Sequence, residues 1–175
     1  TTFVGHGLIT KDGAKMSKSK GNVVNPDEYI RAYGADAIRM YLAFLAPLTE
    51  GGDFRDSGIK GITRFLERIW KVIFNFQFSI SKQNSGAKLK VQNEVERSVH
   101  RTVKKVTEDI ERLRYNTAIS ALMILLNEFE AKPEGVTREH TDVFLKLLAP
   151  FAPFLAEELW QKKKKAVRGD PRHRR

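Results

Sequence analysis

The segment AISALMILLNEF, residues 118–129, is apolar on nearly every side of a helix. A helix of that kind is stable only when other elements surround it. The flanking sequence supplies them. From about 57 to 81, Ile62, Phe65, Leu66, Ile69, Trp70, Ile73 and Phe76 recur in steps of three and four, one continuous apolar stripe. From about 91 to 114, Val95, Val99, Val103, Val106, Ile110 and Leu113 form a narrower seam with charges around it. Asn116 is placed to cap the central helix, about 117–131, and Lys132-Pro133-Glu134-Gly135 breaks it. A last helical pair, about 137–149 and 151–162, is divided by Pro150 and Pro153. The pattern predicts a mainly α chain: a bundle of four or five helices over 57–161.

Residues 1–56 read differently. Short apolar runs at Phe3-Val4 and Leu8-Ile9 suggest a strand leading into a Gly-, Lys- and Ser-rich loop. Asn25-Pro26-Asp27-Glu28 opens a helix that stops at Gly34, and a second runs from Ala35 to about Ala46 with Ile38, Leu42 and Leu45 on one face. Residues 47–57 are turn-rich, and 82–90 form a polar linker between long helices. The 175 residues carry a formal net charge of +10. Eight of the 31 Lys and Arg lie in 162–175 with a single Asp, leaving +3 for everything before them. Net basicity is therefore mostly a property of a tail, 162–175, expected to be disordered in the absence of a partner or non-native. With no Cys and four scattered His, no protein-bound metal is expected. No apolar run approaches the ~20 residues of a membrane span. Cytoplasmic residence is the expectation.

The most specific local feature is Lys15-Met16-Ser17-Lys18-Ser19, continued by Lys20-Gly21-Asn22. Two lysines three residues apart, among small hydroxyl residues and a glycine, suit a polyphosphate: each ammonium is a compact charge with three donors. Hydroxyls and loop N–H groups add neutral donors. A mobile loop of this kind accelerates a reaction only if its contacts strengthen as charge develops on the leaving pyrophosphate.

This pentamer matches, at every position, the KMSKS motif of class I aminoacyl-tRNA synthetases. A chance match over a chain of this length is on the order of one in 10,000. The stretches KMSKSKGNVVNPDEYI, YGADAIRMYLAFLAP, FRDSGIKGITRFLERIWK, RYNTAISALMILLNEF and LLAPFAPFLAEELW resemble the leucyl, isoleucyl and valyl group of that class. Lys20 and the Asn25-Pro26-Asp27-Glu28 continuation resemble the leucyl enzymes in particular. The resemblance implies that Lys15 and Lys18 contact ATP phosphates, with Lys18 stabilising the transition state. It implies donors from Ser17 and Ser19, an anchoring role for Met16, and Leu8 and Ile9 near the adenine end. Mg2+-ATP and leucine would be substrates, tRNA the partner, and the protein a monomer. The His-x-Gly-His element that such an enzyme requires does not occur in these residues, so a C-terminal-side fragment, inactive in isolation, is expected. A valyl or isoleucyl enzyme, or a non-catalytic helical RNA-binding module, stays open as an alternative.

By the same resemblance, the bundle supports the body of a tRNA. Phosphate contact needs Lys or Arg on an exposed helix face. Arg97, Arg101, Lys104 and Lys105 lie about a turn apart, and Arg64, Arg68 and Lys71 form a second stripe. Both could equally pair with nearby Glu67, Glu94, Glu96 and Glu108 on a solvated face. Trp70 and Trp160 read as core, and His6, between two glycines, as part of a turn.

Overall fold

The computed structural model describes residues 3–79 and 86–168. Two short strands, β1 (Ile9–Lys11) and β2 (Ala14–Lys15), form a hairpin around Asp12 and Gly13. Both turn residues have positive φ, 50° and 78°. That backbone suits the twist of a two-residue hairpin, and an Asp-Gly pair is well able to adopt it. Helices α1 (Pro26–Tyr33) and α2 (Ala35–Phe44) follow. The Asn25 side chain caps α1, accepting from the Asp27 N–H at 3.1 Å. Strand β3 (Gly52–Phe54) then returns parallel to β1, giving the order β2-β1-β3. Next to this pair the backbones at Gly7 and Gly51 touch. A Cβ on Gly7 would stand 2.1 Å from the Gly51 nitrogen, so no side chain fits there.

The bundle comprises α3 (Asp56–Ser79), α4 (Gly86–Glu111), α5 (Tyr115–Ala131), α6 (Arg138–Leu148) and α7 (Pro153–Arg168). As the apolar pattern requires, α5 is central: it packs against α2, α3, α4 and α6. Leu122, Leu125, Leu126 and Phe129 are buried among Ile69 and Ile73 of α3, Val95 and Val99 of α4, and Phe144 and Leu148 of α6. Only Ile124 among the large apolar residues of α5 faces outward. Among the described residues, no helix is long and apolar enough to cross a membrane.

Several expectations shift. Helix α4 starts at Gly86, inside the expected linker, while residues 80–85 lie outside the described residues. Asn116 is not a cap. Helix α5 begins two residues earlier than expected, at Tyr115, because only three residues separate it from α4. Leu113 takes a left-handed φ of 57°, which lets Arg114 N–H reach back to the Asp109 carbonyl at 2.7 Å. Such a reversal closes a helix end. On α2 the buried set is Ala37, Ile38, Met40 and Tyr41, and Leu42 is exposed, because α2 is covered by α3 on one side and α5 on the other. The expected tail is helical through Arg168, and Lys163 is buried, its ammonium held by Thr141 and Asp142 of α6. Residues 169–175 lie outside the described residues.

A helix cap contributes to the junction between the two parts. Helix α7 opens on Pro153 after Ala152, which has no capping group. The buried carboxylate of Asp36, in the first turn of α2, accepts instead from Phe154 N–H at 3.4 Å and Leu155 N–H at 2.7 Å. These are the donors an N-cap side chain normally satisfies. Asp36→Ala should therefore cost about 0.5–2 kcal/mol of stability in urea unfolding, the range for loss of a helix cap, and Asp36→Asn less. Equal stability of all three chains would remove the cap from the account.

Candidate active-site loop and RNA-facing helices

Strand β2 delivers Lys15 directly into the loop. Ser17 N–H donates to Asn22 Oδ1 at 2.8 Å, and Asn22 Nδ2 donates to the Lys15 carbonyl at 3.2 Å. One amide side chain thus ties both ends of the Lys15–Asn22 segment. Inside it, Lys18–Lys20 make a single 3-10 turn closed by Gly21 at φ 66°. Met16 is half-buried against the core. The Ser17 and Ser19 hydroxyls lie 2.7 Å apart and bond each other. Lys15, Lys18 and Lys20 are exposed, and none meets a carboxylate among the described residues. The loop therefore presents three uncommitted ammoniums on a backbone closed by its own side chains.

The hairpin beneath is held from β3. Asp53 accepts from Gly13 N–H at 2.6 Å, from Thr10 Oγ1 at 2.9 Å and from Arg55 Nε at 2.7 Å. The Gly13 N–H above all, then Arg55 and Thr10, hold its carboxyl down to about 2, against an ordinary 3.8. Tyr41 of α2 brackets Arg55: its hydroxyl accepts from Arg55 N–H at 2.9 Å and donates to the Arg55 carbonyl at 3.0 Å. Nearby, Asp56 accepts from Tyr29 and lies 2.8 Å from Lys11 Nζ, which also sits over the Phe54 ring at 5.2 Å. The Lys11 contact comes first, Tyr29 second, in keeping the Asp56 carboxyl below its usual range.

Leu8 is exposed and Ile9 half-buried on β1 beside the loop; His6 is exposed, with Nδ1 2.8 Å from the Gly7 carbonyl oxygen. Sequence reasoning missed Asp53, Tyr41 and Asn22. Asn22 carried a local signal, an amide one residue past a glycine and five past Ser17, suited to bonding nearby backbone. Asp53 and Tyr41 carried none, since their partners come from other elements.

The basic stripes separate into paired and unpaired cations. On α4, Lys105 is tied to the buried Asp109, which also accepts from Thr117. Burial pushes the Asp109 carboxyl up, but the Lys105 and Thr117 contacts outweigh it and the net shift is downward. Lys104 stands 3.9 Å from Glu108, a loose exposed pair. Arg97 and Arg101 are exposed and have no ion pair among the described residues. In the second stripe Arg68 crosses to α5 and holds Glu130 (Nε to Oε1, 3.1 Å) and Asn127 rather than Glu67. Arg64 and Lys71 stay exposed and unpaired among the described residues. Within those residues no three His, Asp or Glu converge on a metal position.

A family model described as tRNA synthetases class I (I, L, M and V) matches residues 1–55, and one described as the anticodon-binding domain of tRNA ligase matches residues 92–172. The chain is 43% identical, over 173 residues, to the leucine–tRNA ligases of Thermotoga petrophila and Thermotoga maritima, covering 91% of itself and 21% of each relative. It superimposes with a TM-score of 0.80 and 31% identity on the agnB2 LeuRS of Agrobacterium radiobacter K84, solved as a ternary complex with tRNA and LeuAMS; 90% of this chain and 22% of that one align. Methionyl-tRNA synthetase of Mycobacterium tuberculosis shares the fold alone, at a TM-score of 0.72 and 17% identity over 89% of this chain and 36% of that one.

The chain belongs to the class I aminoacyl-tRNA synthetases. It spans about a fifth (21%) of the length of the curated relatives it matches. Within the class it falls with the leucine–tRNA ligases, and the valyl and isoleucyl readings are not favoured.

The Asp53 anchor has a pH signature. Because its folded pKa is depressed, its contribution is whole above about 3.8 and is lost as pH falls through about 2. The Gly13 amide resonance should titrate with that low midpoint. Asp53→Asn should speed Gly13 amide exchange several-fold at neutral pH, and unchanged exchange would sink the anchor.

Proposed function

We propose that this chain supplies two parts of a leucine–tRNA ligase: the loop that handles ATP phosphates during leucine activation, and a helical support for the body of tRNA(Leu). The observation that carries the first part is the set of unpaired ammoniums of Lys15, Lys18 and Lys20 on a loop closed by Asn22. An ATP triphosphate, brought in as its Mg2+ complex, provides the negative charge that these groups lack. Attack of the leucine carboxylate on the α-phosphorus forms the aminoacyl-adenylate and expels pyrophosphate. Lys18, on the one 3-10 turn at the loop's apex, can follow the leaving charge, and Lys15, fixed by β2, holds the ground-state phosphates. The Ser17–Ser19 contact would open to give hydroxyl donors to phosphate oxygen. Leu8, exposed beside the loop, suits the adenine end. Cytoplasmic residence and a monomeric state accompany this reading.

In the full-length protein, Lys18→Ala should lower the leucine-dependent ATP–pyrophosphate exchange rate by about 100-fold or more while KM for ATP changes little, the pattern of a donor used mainly in the transition state. An equal loss confined to ATP affinity would assign Lys18 to uniform binding instead.

The second part rests on α4, where Arg97 and Arg101 are exposed and have no ion pair among the described residues and Lys104 is only loosely paired. Lys105 is a weaker candidate, being tied to Asp109. Replacing Arg101 and Lys104 by Gln should reduce the salt dependence of tRNA binding by about one to two units of log–log slope. A slope identical to that of the unaltered protein would remove α4 from the RNA surface.

A further inference from the structure

Trp70 and Trp160, which helical periodicity assigns to the core, are half-buried at its margin, and lysines converge on them. The ammonium of Lys146, on α6, lies 5.9 Å from the centre of the Trp160 ring. That of Lys164, one turn farther along α7, lies 5.7 Å from the same ring. On α3, Trp70 stacks on Phe74 at 5.7 Å and carries Lys162 at 5.6 Å. Lys162 also reaches Glu158 at 3.1 Å. Lys146 and Lys164 are exposed and meet no carboxylate among the described residues.

The arrangement is electrostatically incomplete. An indole face attracts each ammonium through its quadrupole, but it carries no net charge to neutralise them. Two like charges are therefore gathered on one ring with nothing between them to offset their repulsion. Elsewhere in the bundle, Arg68, Lys105, Lys132 and Lys163 are each committed to a carboxylate. A partner that suits this face carries closely spaced negative charges and flat apolar surface for the indole edge. Single-stranded or loop RNA has both: phosphates for the ammoniums and base faces for the ring.

We propose that the α6–α7 face around Trp160 is an RNA contact surface, with Lys146 and Lys164 on the phosphate backbone. The proposal rests on the reading of the bundle as a tRNA support and adds a face separate from the α4 stripe.

The test titrates the 175-residue chain with unfractionated tRNA across a KCl series, using Trp70→Phe so that fluorescence reports Trp160 alone. Binding should quench Trp160. Lys146→Gln with Lys164→Gln should lower the log–log salt slope by about one to two units, since each phosphate contact contributes about 0.7–0.9. Lys146→Arg with Lys164→Arg should restore the slope, which separates loss of charge from loss of fold. If the Gln pair leaves the slope intact while Arg101→Gln with Lys104→Gln lowers it, this face is not a contact and the bundle reading survives. If no form of the chain binds tRNA, both readings fall. Equal quenching by inorganic phosphate alone, or stronger lysine-dependent binding to phosphatidylserine vesicles than to tRNA, would overturn the assignment to RNA.

Discussion

The Asp36 carboxylate carries the junction on which the rest of the arrangement depends. It sits in the first turn of α2, yet it completes the N-terminus of α7, the last helix of the bundle. Arg39 adds a longer contact from the same helix to the Pro150 carbonyl at 3.5 Å. Farther along α2, Tyr41 clasps the backbone of Arg55 just after β3. Gly58 leaves the room for that ring, since a Cβ there would come within 2.6 Å of it. Helix α2 is therefore a beam between two structures: bundle at one end, sheet and KMSKS loop at the other. The beam is buried where it bears load, and its donors and acceptors are satisfied by groups far away in sequence.

Charge follows the same logic. The excess of lysine and arginine is not one undifferentiated basic surface. Cations at helix–helix contacts are absorbed: Lys132 bridges Glu94 and Glu128 at 3.1 and 3.0 Å, and Arg68 joins α3 to α5. Lys163 is the extreme case. Burial lowers its pKa, and Asp142 only partly offsets that. With its folded pKa below the ordinary 10.5, the charged form is disfavoured by folding, so stability rises with pH between the lowered value and 10.5. Among the described residues, exposed cations without an ion pair include those on the loop, on α3 at Arg64 and Lys71, on one side of α4 and around Trp160.

Much of the fold was legible. A nearly all-apolar α5 had to be central, and the stripes on α3 and α4 had to face it, because apolar periodicity and burial are linked by helix geometry. The loop pentamer was legible as a family signature because its five residues are contiguous and match the motif at every position. What failed did so for definable reasons. Asn116 looked like a cap, but a three-residue turn with Leu113 at positive φ started α5 too early for it. The lysine run at 162–165 looked like a solvated tail, but α7 docks on α6 and carries Lys163 inside. Trp160 looked like core, but its ring lies at the rim, where lysines reach it.

By itself the sequence determined the helical class, the central position of α5 and the identity of the KMSKS loop, because each is written in neighbouring residues. Tertiary structure alone decided which charges remain free. Lys104 and Lys105 are neighbours on one helix, yet one is loosely paired at the surface and the other is tied to a buried acid. It also decided that Asp53 steadies the hairpin and that Asp36 caps α7, for donor and acceptor meet only when strands or helices distant in the chain are packed together. Local spacing encodes a helix face; it does not encode what that face will touch.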